Sequence, residues 1–78
     1  MMSNRVMDTL DFALRGDHIT LDALLKATGM APSGGTAKQL IAAGEVRVNG
    51  ETETRRGRKL RAGDEVLLGA ARVRVSGG

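Results

Sequence analysis

Cysteine, tryptophan and tyrosine are absent from this chain of 78 residues, and phenylalanine and proline occur once each, as Phe12 and Pro32. Without cysteine there is neither a disulfide framework nor a thiolate metal site, so folding rests on core packing or on a partner, and the cytoplasm is the default compartment. The lack of aromatics leaves Leu, Val, Ile and Met to build a lean core, in a chain near the size where burial barely offsets chain entropy. It also removes the stacking platform that holds single-stranded bases. No segment approaches the ~20 apolar residues of a membrane span, and Met1-Met2-Ser3-Asn4-Arg5 lacks the apolar run of a signal peptide. The length suits one domain, 1–78, with no internal repeat and no linker.

Chemistry-bearing constellations are equally scarce. His18 is the only histidine, beside Asp17, with no second ligand to make a metal site. No spacing assembles it with a hydroxyl and a carboxylate into a nucleophilic set. The expectation is a protein without catalysis, cofactor, metal or small-molecule substrate.

What is present is charge, unevenly placed. The formal net charge is +3, yet residues 1–44 and 62–78 each balance. The excess lies in 45–61, where Arg47, Arg55, Arg56, Arg58, Lys59 and Arg61 face Glu45, Glu51 and Glu53. Five of these six cations are arginine, whose planar fork pairs bidentately with phosphate. No acid interrupts 54–61, so nothing in the sequence neutralises the cluster, and replacing Arg55, Arg56 and Arg58 with Glu should leave stability nearly unchanged.

Leu10, Phe12 and Leu14 alternate with polar or small residues and suggest an edge strand, although Val6, Leu10 and Leu14 also fit a helical face. After the Gly16-Asp17 turn, Thr20 stands at an N-cap position and Leu21, Leu24 and Leu25 share one face of a helix ending at Gly29. Pro32 breaks the chain, and Ser33 caps a second helix with Ala37, Leu40 and Ile41 as its stripe and Gly44 as its stop. Val46 and Val48 lead into Asn49-Gly50, a type I′ hairpin signal, with the return strand at Thr52–Thr54. Leu60 is the apolar anchor of the basic loop, strands follow at Glu65–Leu68 and Arg72–Val75, and 76–78 should fray. The fold class is α+β: two short helices on a small, mostly antiparallel sheet with an Asn-Gly hairpin.

The candidate site combines two segments. At Ser33, Gly34, Gly35, Thr36, Lys38 and Gln39, a helix start exposes backbone N–H groups, bare glycine backbone allows close phosphate approach, and Lys38 adds charge. The loop cations Arg55, Arg56, Arg58, Lys59 and Arg61 form the second part, with Arg47 and Asn49 beside the second helix if the hairpin packs on it. For Asn49, turn geometry alone is a sufficient explanation. Guanidinium, amide and hydroxyl groups suit structured RNA, which is read by shape, phosphates and 2′-hydroxyls.

The segment Leu21–Glu65 resembles the S-four domain, the RNA-binding module named for ribosomal small-subunit protein four. The carriers are Leu21-Asp22 with Leu24-Leu25, Ser33, Ala37-Lys38 with Leu40-Ile41, Gly44, Val46, Val48-Asn49-Gly50 and Gly63-Asp64. Within the family, Ser-Gly-Gly-x-Ala-Lys and the Arg-rich loop are similar to the short stand-alone bacterial group of the YbcJ and YaaA kind. Thr20 and Gly34 stand where many relatives have Arg, which removes cation from the helical surface. The resemblance implies an S-four-like core over about 19–68 and RNA as the partner, leaving open whether that RNA is ribosomal. Two rival readings remain: a helix-turn-helix protein on DNA, and a module docking an acidic protein.

Overall fold

The computed structural model describes residues 8–77. The opening residues Met1 to Arg5 and the alternative helical position Val6 lie outside that range, as does Gly78.

Alternation makes β1 (Asp8–Ala13) a strand, and it lies at a sheet edge. A two-residue strand β2 (Ile19–Thr20) runs directly into α1 (Leu21–Ala27), whose Leu21, Leu24 and Leu25 are fully buried. Helix α2 (Gly34–Ala42) begins after Ser33, whose Oγ accepts a hydrogen bond from Thr36 N. It ends where Gly44 takes a φ of +78°, the left-handed value that releases a helix C-terminus at least cost in glycine. The hairpin joins β3 (Val46–Val48) to β4 (Glu51–Thr52) through Asn49 and Gly50 at φ of +53° and +87°, the positive pair a type I′ turn demands. After the basic loop come β5 (Lys59–Leu60), β6 (Glu65–Leu68) and β7 (Ala71–Ser76).

The main sheet has the order β1-β7-β6-β3-β4. Its pairs are antiparallel except β1 with β7, which run parallel from Asp8↔Ala71 to Ala13↔Ser76. Ser76 therefore does not fray: its carbonyl accepts from Leu14 N at 2.9 Å and its hydroxyl donates to the Phe12 carbonyl at 3.3 Å. The return strand is Glu51–Thr52 instead of reaching Thr54, although Glu53 N still donates to the Val46 carbonyl at 2.9 Å. A separate ladder pairs β2 with β5.

The inner sheet face carries Val46, Val48, Val66, Val73 and Val75, which form one core with the α1 leucines, Ala37, Ile41 and Leu60. Phe12 and Leu40 are half-buried against that core. Residues of opposite parity, including Arg47, Leu67 and Arg72, share the outer face.

Candidate nucleic-acid interface

Glu53 organises the basic loop. Its side chain is 8% exposed, and its carboxylate gathers four donors. Oε2 accepts from Arg55 N at 3.1 Å and Arg55 Nε at 2.9 Å, while Oε1 accepts from Arg58 Nη1 at 2.7 Å and Arg55 Nη2 at 3.3 Å. The expectation that nothing neutralises the cluster is thus corrected. The neutralising acid precedes the run and looks, in sequence, like one more solvent-facing strand residue.

The loop backbone is fixed as well. Leu21 N donates to the Arg58 carbonyl at 2.9 Å and Asp22 N to the Arg56 carbonyl at 3.1 Å. These acceptors serve the first two N–H groups of α1, which no intrahelical partner can satisfy. Thr20 occupies the N-cap position, but its hydroxyl donates to Asp22 Oδ1 at 2.7 Å instead of capping, and Asp22 Oδ1 in turn accepts from Ala23 N. Leu60, fully buried, pins the far side of the loop. On this scaffold Arg56, Lys59 and Arg61 are exposed, Arg55 keeps 74% of its side chain in solvent, and Arg58 keeps 33%.

Hydrogen bonds from Arg55 and then Arg58, working against burial, hold the Glu53 carboxyl at about 2 instead of 4.5. The unfolded chain therefore binds the more protons between those values, and this contribution to stability, complete above about pH 4.5, is lost as the pH falls towards 2. Urea midpoints measured across that window should fall less steeply for Glu53→Gln than for the natural chain. Equal slopes would show that the carboxylate is not coupled to folding.

Asn49 serves the turn. Its Nδ2 donates to Asp64 Oδ1 at 3.0 Å and its Oδ1 accepts from Glu65 N at 2.9 Å, so both polar atoms of the amide have partners within the chain. Asp64 Oδ2 accepts from Arg61 N at 2.8 Å, tying the end of the basic loop to the hairpin. Burial pushes the Asp64 carboxyl up, but the Arg61 N–H and the Asn49 amide outweigh it and keep it below its ordinary value. Exposed Asp17 is likewise lowered by its 2.8 Å hydrogen bond with His18 Nδ1.

The second segment sits at the other end of α1. Gly34 abuts Lys26 closely enough that a methyl group there would stand 3.7 Å from Lys26 Cδ. Lys26, exposed in the last turn of α1, therefore joins the start of α2, a neighbour that sequence spacing did not indicate. Lys38 and Gln39 are exposed, while Ser33 and Thr36 are engaged with each other, the Ser33 hydroxyl donating to Thr36 Oγ1 at 3.2 Å. At 1.5 Å per residue, the loop and the α2 start flank the two ends of a helix segment ~8 Å long.

Arg47 does not join them. Val46 and Val48 face the helices, so Arg47 emerges on the opposite sheet face, where Gly44, Glu45, Arg47, Leu67 and Gly69 line an open groove of about 430 Å³. The expectation that Arg47 lies beside the second helix is corrected by strand parity. On the same outer face, Glu65 forms ion pairs with Arg72 at 3.8 Å and Arg74 at 3.7 Å, offsetting part of the positive charge there.

Residues 12–76 match the family model of the S4 domain. Over 58 residues the chain is 43% identical to YbcJ of Escherichia coli (strain K12), covering 74% of this chain and 83% of that one. It is 50% identical over 52 residues to the Bacillus subtilis (strain 168) protein named "Probable ribosome maturation protein RlbA", covering 67% of this chain and 73% of that one. The solution structure of YbcJ from E. coli, described as revealing an ALFAL motif involved in RNA-binding, superposes with a TM-score of 0.69 at 38% identity, covering 94% of each chain. With its helices, hairpin and anchored basic loop all inside the matched span, this chain belongs to the S4 domain family.

Proposed function

We propose that the chain is a non-catalytic, cytoplasmic RNA-binding protein that docks the phosphates of structured RNA, with ribosomal RNA as the candidate partner. The observation that carries this reading is the display of Arg55, Arg56, Lys59 and Arg61 on a loop fixed to α1 and to the core. A preformed cationic loop loses little freedom on binding, so more of each phosphate interaction appears as affinity. The start of α2, with Lys38 and the adjoining Lys26, extends the face. Neither Gly34 nor Gly35 has a positive φ, and a methyl group at either would meet its neighbours only at ordinary van der Waals distance. Backbone geometry thus does not require glycine there, whereas bare backbone allows a phosphate to approach the first-turn N–H groups.

The names of the B. subtilis and E. coli relatives point to ribosome maturation and to RNA, which supports the same choice of partner. Phe12 is half-buried on the core, so no aromatic platform favours single strands over helical RNA. No observation favours the DNA or acidic-protein readings: α2 presents only Lys38 and Gln39 as long polar side chains, and the charge excess lies on the loop.

Filter binding to an RNA hairpin over a salt series tests the proposal. If four to six phosphates are neutralised, log K should fall against log salt with a slope of about −4 to −5. Flat salt dependence, or equal competition by duplex DNA of the same length, would count against it.

A further inference from the structure

We infer that Glu53 is a positioning residue for RNA binding: it holds the Arg55 guanidinium by one edge and Arg58 by its tip, so that the remaining edge of Arg55 is presented to phosphate in a fixed orientation. The inference rests on the RNA-binding reading above. An arginine has five N–H donors. Glu53 occupies Nε and one hydrogen of Nη2, which leaves the other Nη2 hydrogen and both on Nη1 for an external anion. The side chain bearing them is 74% exposed, whereas the carboxylate that grips it is 8% exposed. Buried beneath its arginines, Glu53 is placed to grip them and not to meet a ligand itself.

The second bond from Glu53 reaches Arg58, and the carbonyl of Arg58 accepts from Leu21 N at the start of α1. The orientation of Arg55 is thereby referred to a helix packed in the core instead of to a mobile loop. Arginine otherwise carries substantial rotamer freedom, which a ligand would have to quench.

This arrangement makes an expectation opposite in sign to that of simple charge. Glu53 is an anion next to a phosphate-binding surface, so on Coulombic grounds removing its charge should tighten RNA binding. If it positions Arg55, removing the charge should loosen binding instead.

Affinity for a fluorescein-labelled RNA hairpin should be measured for the natural chain, Glu53→Gln, Arg55→Gln and the double variant, at a temperature where circular dichroism shows each folded. Glu53→Gln is expected to bind about tenfold more weakly. In the Arg55→Gln background the same change should have little effect, because the residue it acts through is gone. Unchanged or tighter binding by Glu53→Gln overturns the inference, and so does an equal loss in both backgrounds, which marks a general structural defect. A second measurement needs no variant to fold: in the natural chain, the Arg55 Nε–H resonance should be as ordered without RNA as with it. A mobile Arg55 that becomes rigid only on binding overturns the inference. If the natural chain itself fails to bind the hairpin, the RNA reading fails, and that result is distinct from either of these.

Discussion

Arg58→Glu is expected to lower folding stability by about 2–3 kcal/mol, the upper range for losing a hydrogen bond to a charged group. Arg58 Nη1 lies 2.7 Å from the Glu53 carboxylate, so the substitution removes its shortest donor and sets a second carboxylate against it. A domain of this length has roughly 4–12 kcal/mol in total, so the loss is a large fraction of what holds it together. In urea the midpoint should drop by about 1 M or more. Arg56→Glu, on an exposed side chain of the same loop, should stay within about 0.5 kcal/mol of the natural protein. The sequence alone places Arg55, Arg56 and Arg58 in one class of exposed, stability-neutral cations, and the buried carboxylate divides them. Coincident urea curves for Arg58→Glu and Arg56→Glu would refute that division.

The converse experiment separates binding from folding. Arg56→Glu combined with Lys59→Glu should weaken binding to an RNA hairpin on the order of 100-fold at ~0.1 M salt and flatten the salt slope by about 2, one for each phosphate left without its cation. The melting temperature should hardly move, because both side chains are exposed. A double variant with unchanged affinity and slope would remove the loop from the interface and leave the α2 start as the remaining candidate.

How far each feature was legible follows from the range of the interactions that create it. Leu21, Leu24 and Leu25 share a face through helical periodicity, Ser33 and Gly44 mark the ends of α2 through local capping, and Asn49-Gly50 fixes its turn through the φ values those two residues tolerate. Each is decided within a few residues, and each forms where the spacing indicates. The parallel pairing of Asp8–Ala13 with Ala71–Ser76 has no local signature, since alternation identifies a strand without naming its neighbour. Strand parity also settled Arg47: the pattern Val-Arg-Val indicates that Arg47 leaves the core, but only the layer order reveals that the helices lie on the other side. Glu53 escaped notice for a different reason. A carboxylate between two threonines in a nominal strand reads as surface, yet Glu53 N donates to the Val46 carbonyl at 2.9 Å, and the register sets Glu53 opposite Val46 on the inward face.

The parallel seam between β1 and β7 has a bearing on how the chain is made. During synthesis β1 emerges first and must wait for β7, while the hairpin, β6 and both helices can already assemble beside it. Leu10 on that strand is exposed even in the complete fold. β1 sits at the sheet edge with β7 as its neighbour, so a chain cut before Ala71 would lack the strand whose backbone pairs with Asp8–Ala13.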